Sequence, residues 1–374
     1  MLVCQKSKIE DWLAHFRQHY SLTVFDCTDT AQFDEFCLVV GKCVGVVNYD
    51  LVFRRPYFGV ISGFTLMLDE SSIIQNETAK RSKFILKMKA KNVILLSGTP
   101  TAGKYEKLWS QVRLLGWNIS KDLFYQHYVI TEWIEDADSG FRIPHVAGYK
   151  NVDRLKRKLA EYGAVFMKSD EVFDLPEQNF ITIHSKPTKE YKRFIKDEVI
   201  IINDREFIGD TILSKRIYAR MMCSYLNKER LAAFKDLAYS TEDRLIVFYN
   251  FNDELNELEL IARQMERPVS VVNGQYKDLT AYEEKENSIT FVQYQAGAMG
   301  LNLQKANKVI YFSLTDRSEL FEQSKKRIHR IGQNSKCFYY IMLCPGTVEE
   351  HILETLNQRR DYNDDLFRKY LETP

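Results

Sequence analysis

The sequence has 374 residues, of which 45% are apolar, enough for two hydrophobic cores at the usual ~100–200 residues per domain. Its 52 basic and 51 acidic side chains leave a net charge of +1, so a surface for a polyanion has to be a local patch. Seven scattered cysteines form no Cys-x-x-Cys pair, their odd count argues against a disulfide framework, and no apolar run approaches the ~20 residues of a membrane span. No signal-peptide pattern, internal repeat or low-complexity segment is present, and a reduced, cytosolic setting is expected.

In chain order, Leu2-Val3-Cys4 reads as the end of a strand. A helix is expected from Lys8 to about Tyr20, with Ser7 as its cap, because Ile9, Trp12, Leu13 and Phe16 recur at helical spacing. Val44 to Tyr49 reads as a short strand with a polar end. Phe64 to Leu68 is another, running directly into Asp69-Glu70. Two carboxylates at the carboxyl end of a strand suit a ligand crevice: Asp69 can hold Mg²⁺ through water, and Glu70 can orient or deprotonate an attacking water. An acidic strand end capping the next helix is the plainer alternative.

Val93 to Leu96 reads as a buried strand leading into Ser97-Gly98-Thr99-Pro100-Thr101-Ala102-Gly103-Lys104-Tyr105. Gly98 to Lys104 satisfies the G-x-x-x-x-G-K pattern of a phosphate-cradling loop, but Tyr105 stands where Ser or Thr is needed. Beyond residue 118 the chain is rich in aromatic and charged residues. A basic helix is expected from Arg154 to Tyr162, either as a solvated face or as a patch on DNA.

Further along, strands are expected at Phe180–His184, Arg244–Tyr249, Val269–Val272, Ile289–Val292 and Lys308–Phe312. Helices are expected at about 188–203, 212–238 and 253–265. A glycine-punctuated turn, Ala296 to Asn302, separates the last two strands. A helix ending in Lys325-Lys326-Arg327-Ile328-His329-Arg330-Ile331-Gly332-Gln333 follows them, and on it Arg327 and Arg330 would share a face. Paired guanidinium forks suit the charge of a phosphoryl group in transfer, although a solvated face or a DNA patch would look the same. An apolar stripe then predicts a final helix from Thr347 to about Tyr370. The strand–turn–helix alternation is that of parallel α/β sheets covered on both faces. His329 reads as a structural or phosphate contact, and His145 and His184 lack partners at metal-ligand spacing.

These stretches together resemble motifs Ia, Ib, II, III, IV, V and VI of superfamily-two helicase-like ATPases. The ending RIHRIGQ, with Gln323 before it, resembles the Swi/Snf branch, in the compact form carried by Firmicutes and their phages. The resemblance implies an α/β fold of two RecA-like parallel-sheet lobes with a helical insertion. Residues 1–117 would form the first lobe, 118–177 the insertion or bridge, 178–346 the second lobe and 347–374 a C-terminal helical brace.

It further implies ATP and Mg²⁺ as cofactors and double-stranded DNA as partner, in the cytoplasm of a bacterial or phage-infected cell. The motor would move along duplex DNA without separating its strands. Residue by residue, it makes Asp69 and Glu70 the motif II carboxylates and Arg327 and Arg330 arginine fingers reaching the γ-phosphate from the second lobe. Gly300 and Gln333 become nucleotide contacts, Ser97, Gly98 and Thr99 the coupling motif III, and Lys6, Asn48 and Gly297 DNA contacts. Many members have Ala-His where this chain has Ser71-Ser72.

The family's own phosphate loop belongs upstream of motif Ia, where this sequence opens, and no other Gly-Lys-Ser/Thr occurs. The first lobe is therefore expected to be incomplete, in a truncated or degenerate motor with impaired ATP binding. A non-enzymatic DNA-binding or scaffold protein derived from such a motor is the alternative. A phosphotransferase using Lys104 is a third.

Overall fold

The structure is a computed structural model that describes residues 1–98, 104–135, 142–165, 174–297, 300–358 and 371. The chain divides into two compact units, Met1–Phe166 and Met167–Pro374. The first is built on five strands, β1 (Leu2–Cys4), β2 (Thr23–Asp26), β3 (Cys43–Asn48), β4 (Thr65–Asp69) and β5 (Asn92–Leu96). They pair in parallel in the order β2-β3-β1-β4-β5.

The strand pleat sorts their side chains onto two faces. Leu2, Cys4, Val44 and Val46 pack with Ile9, Leu13 and Phe16 of the helix Ile9–His19 on one face. Val3, Val47, Leu66 and Leu68 pack with Phe33, Phe58, Ile74 and Ile85 on the other. β1 is buried throughout because β3 and β4 flank it and both of its faces are covered. β5 forms one edge and leaves Ile94 and Leu96 partly exposed.

Ser7 is not the expected cap. It lies inside a 3-10 turn, Lys6–Lys8, and the helix starts from Lys8 without a side-chain cap. The remainder of the first unit is not wholly helical either. Between the helices Lys121–Tyr128 and Val152–Glu161 runs an antiparallel hairpin, β6 (Val129–Glu135) with β7 (Arg142–Tyr149). A small core of Leu108, Val112, Trp117, Phe124, Leu155 and Leu159 holds this part together.

The second unit carries a seven-stranded sheet and a separate hairpin, β9 (Val199–Ile202) with β10 (Arg205–Ile208). The sheet comprises β8 (Gln178–His184), β11 (Leu245–Tyr249), β12 (Val269–Val272), β13 (Lys277–Asp278), β14 (Ile289–Gln293), β15 (Lys308–Tyr311) and β16 (Cys337–Leu343). Its order is β13-β12-β14-β11-β15-β16-β8, parallel except at β13. Central β11 is buried at every residue, with Ile246 and Phe248 in one core and Leu245, Val247 and Tyr249 in the other.

Three helix expectations are corrected here. The helix expected over 188–203 stops at Asp197, where Glu198 turns left-handed (φ 63°) into β9. The helix expected over 212–238 is two, Ile212–Cys223 and Lys228–Tyr239. Asn227 starts the second by accepting from Glu229 N (3.0 Å) and Arg230 N (3.3 Å), as a capping side chain does. The basic helix ends at Lys325, so Arg327 and Arg330 lie in the turn after it and share no helix face. The final helix runs Val348–Asn357, and its expected continuation lies outside the described residues apart from Gln358 and Leu371.

Candidate active site

In a parallel sheet the carboxyl ends of all strands open on one edge, where ligands bind in open α/β folds. On that edge of the first unit stand Asp69, last in β4, and Glu70, which takes a left-handed conformation (φ 56°, ψ 57°). That conformation is costly for a non-glycine residue and persists where its surroundings hold it. Here the Tyr49 hydroxyl donates to Asp69 O at 2.9 Å, and Trp12 Nε1 donates to Asp69 Oδ2 at 2.8 Å. Burial, reinforced by the Asp69 and Glu70 charges, pushes the Tyr49 phenol far above its ordinary range, so it stays a neutral donor.

Glu70 Oε1 accepts from Ser72 Oγ and from Ser97 Oγ, each at 3.1 Å. Ser97 follows directly on β5, so the structure joins the expected coupling segment to the expected catalytic carboxylate. Ser71, fully buried, donates to Gln111 Oε1 at 2.9 Å and ties the acidic turn to the helix Trp109–Leu114. The departure at Ser71-Ser72 thus has two structural uses, one of them on Glu70. Gly98 is exposed after β5, whereas Thr99 and the remainder of the glycine-lysine stretch up to Gly103 lie outside the described residues. Lys6 and Asn48 sit at the carboxyl ends of β1 and β3, on the same edge as Asp69.

Among the described residues neither Asp69 nor Glu70 has an ion-pair partner. Two half-exposed carboxylates with no cation beside them fit a hard divalent ion and its waters.

In the second unit the structure brings the glycine turn and the arginine turn together. Gly297 closes the short helix Tyr294–Gly297 after β14, and Gly300 takes φ 71°, a conformation glycine adopts without strain. Arg330 Nη1 donates to Asn302 Oδ1, and Leu303 N donates to Arg327 O at 3.1 Å. Gln333 Nε2 donates to the carbonyls of Ala306 (2.8 Å), Gln304 (3.2 Å) and Ile328 (3.3 Å), and its Oε1 accepts from Ser335 N. Its amide is therefore committed to the backbone, which makes Gln333 the strut of the arginine turn. His329 Nε2 donates to Pro176 O (2.8 Å) while Nδ1 accepts from Gln178 Nε2 (2.6 Å), a structural role that uses both ring nitrogens.

Sequence reasoning missed Trp12 as a partner of Asp69, because its helical spacing marks it as core. It also missed the polar cluster at the carboxyl ends of β11 and β15. There Asn250 Nδ2 donates to Ser313 Oγ (2.7 Å), and Asp316 accepts from Arg216 (2.9 Å). No local signal reveals pairs that the sheet brings together over 63 and 100 residues. Cys223, Cys344 and Glu349 also converge, within 4.8 Å of one another. Arg230 already occupies both Glu349 oxygens, so this cluster is an ion-paired core joint and does not fit a metal ion.

The SNF2-related domain family matches residues 1–233, and the family described as Helicase conserved C-terminal domain matches residues 229–332. The chain is 26% identical, over 95% of its length, to the mouse "SWI/SNF-related matrix-associated actin-dependent regulator of chromatin subfamily A member 1", covering 37% of it. It is 25% identical, over 81% of its length, to the "Putative ATP-dependent helicase/translocase YwqA" of Bacillus subtilis, covering 36% of that protein. The chain thus spans little more than a third of the length of these relatives. Among solved structures, a Sulfolobus solfataricus SWI2/SNF2 ATPase core in complex with dsDNA aligns at 17% identity and TM-score 0.39, over 98% of this chain and 81% of that one. The fold assignment rests on the strand orders above.

Proposed function

This chain belongs to the SNF2-related domain family, and from that premise we propose that it is the core of an ATP-hydrolysing motor that moves along double-stranded DNA. The observation that carries the reading is the Asp69-Glu70 pair at the carboxyl end of β4, with Ser97 from the end of β5 bound to Glu70 at 3.1 Å. Asp69 would hold Mg²⁺ through water, and the ion supplies positive charge to the phosphates of ATP. Glu70 takes the proton of the attacking water, its carboxylate positioned by two serine hydroxyls. Arg327 and Arg330 balance charge on the transferring phosphoryl group, and Asn302 and Gln333 hold the turn that carries them. Lys6 and Asn48 contact the DNA backbone, which makes binding salt-dependent and little concerned with base sequence.

We propose further that turnover by this chain alone is weak. Its one G-x-x-x-x-G-K stretch, Gly98 to Lys104, runs into Tyr105 where the loop needs a hydroxyl for the ion. The test is ATP turnover with and without duplex DNA, for the chain, Glu70→Gln and Lys104→Ala. Duplex-stimulated turnover that falls ~100-fold or more in Glu70→Gln and persists in Lys104→Ala supports the reading. Duplex binding without any turnover favours the non-enzymatic DNA-binding alternative. Loss of turnover in Lys104→Ala would make Gly98–Lys104 the phosphate loop and overturn the coupling role of Ser97.

A further inference from the structure

We propose that the cleft between the helices Lys121–Tyr128 and Val152–Glu161 is a second seat for the phosphate backbone of duplex DNA, with Arg154 and Arg157 as its anchors. The cleft has a volume of about 490 Å³, and Trp117, Leu123, Tyr128, Arg154, Arg157 and Lys158 are among the side chains that line it. It lies in the first unit, its lining includes none of Lys6, Asn48, Asp69 and Glu70, and it contains the basic helix for which the sequence left a solvated face and a DNA patch both open.

What distinguishes these arginines from an ordinary solvated helix face is where the neighbouring charges go. Lys158 is spent: its Nζ meets Glu161 at 2.6 Å and stands 5.6 Å from the centre of the Tyr162 ring. Lys121, on the facing helix, is bound to Glu77. Among the described residues neither Arg154 nor Arg157 has an acidic or aromatic partner, although both line the same cleft. The one carboxylate in the lining, Glu161, is the one paired with Lys158, so the cleft keeps two uncompensated guanidinium groups.

Spacing supports a phosphate backbone as the occupant. Three residues on a helix advance about 4.5 Å along its axis. Phosphates of one DNA strand recur about every 3.4 Å along the duplex axis. Two guanidinium forks on one face can therefore take neighbouring phosphates, each fork bonding two oxygens. Leu123 and the edge of Trp117 offer an apolar wall for the sugar between them. The helix is held in place to present the forks because its Leu155 and Leu159 are buried in one cluster with Trp117 and Phe124.

This inference rests on the reading of the chain as a duplex-directed motor, and the test separates the two. Binding of a labelled duplex is followed by fluorescence anisotropy over a range of salt, for the chain, Arg154→Gln/Arg157→Gln and Arg154→Lys/Arg157→Lys. The control is Lys192→Gln/Lys196→Gln, two exposed lysines on the helix Lys189–Asp197. Each phosphate contact contributes about 0.9 to the slope of log affinity against log salt, so the Gln pair should lower the slope by about 1.8. At about 0.1 M salt that corresponds to a loss of up to ~60-fold.

The Lys pair, which keeps the point charges, should retain most of the slope, and the control should match the parent chain. Thermal unfolding should be the same for all, since the substituted side chains are exposed. A Gln pair with the parent's slope and affinity, or no weaker than the control, overturns this inference while duplex-stimulated turnover still upholds the motor. A parent chain that binds no duplex overturns both.

Discussion

Arg230→Met should unfold the second unit early, and the size of the effect follows from its contacts. Arg230 is fully buried on the helix Lys228–Tyr239. Its Nη1 and Nη2 bond both oxygens of Glu349, itself 2% exposed, and Nη1 also donates to Phe312 O at 3.0 Å. Cys344 N donates to Glu349 Oε2 at 2.9 Å. One guanidinium thus joins a central helix, the end of β15 and the C-terminal helix Val348–Asn357.

Removing the cation leaves a buried carboxylate with one backbone donor, and breaking a buried pair from one side costs about 3–5 kcal/mol. The orphaned Phe312 carbonyl adds about 1 kcal/mol. Against the roughly 5–15 kcal/mol of a typical domain this is a large fraction. Urea unfolding followed by circular dichroism should show an early transition. Tryptophan fluorescence should shift less, because Trp12, Trp109, Trp117 and Trp133 all lie in the first unit. Arg230→Met/Glu349→Leu should recover most of the loss, since apolar groups of similar volume replace such pairs at little net cost. A single-variant loss under ~1 kcal/mol, or a double variant that merely sums the two single losses, would refute the reasoning.

Three further outcomes are expected. Glu254 is fully buried, and burial raises its carboxyl above the ordinary 4.5 although Ser313 Oγ, Asn250 N and Phe251 N donate to it. An acid raised in the folded state contributes stability that is complete below its unfolded value and declines as pH rises through the folded one. Urea titrations from pH 4.5 to neutrality should show that decline in the parent and not in Glu254→Gln; equal pH slopes would count against it. Trp12→Phe keeps the ring but removes the Asp69 donor, and should destabilise the first unit by about 1.5 kcal/mol, the low end for a bond to a charged group. No change in urea midpoint would mean the bond is not made in solution. Gln333→Ala frees the carbonyls of Gln304, Ala306 and Ile328 and should cost about 1–3 kcal/mol. Duplex-stimulated ATP turnover should fall with it as the Arg330 turn loosens; full activity with unchanged stability would remove Gln333 as the strut.

The parallel strands were readable because a strand buried on both faces needs a continuous apolar run, as in Val44–Val47 and Leu245–Tyr249. The hairpin β6/β7 escaped notice because its strands mix charged and apolar residues and its exposed Ile130, Trp133 and Ile143 give no one-sided pattern. The break at Ser224–Asn227 contains neither Gly nor Pro, and Asn227 acts as a cap only once the chain has turned. Arg327 and Arg330 looked helical because every residue from Lys326 to Ile331 tolerates a helix. What holds the turn after the helix is partly remote, in the bond from Leu303 N to Arg327 O.

By itself the sequence determined which strand ends in Asp69-Glu70, where the serine and arginine segments fall, and that both sheets are mainly parallel. These are local properties of apolar runs and of the residues that follow them. Only the tertiary structure decided the neighbours: β1 between β3 and β4, Ser97 on Glu70, Asn302 on Arg330, and Trp12 on Asp69. Such contacts depend on strand order and register, which arise when distant segments compete to bury their faces, and no short stretch of sequence carries that outcome.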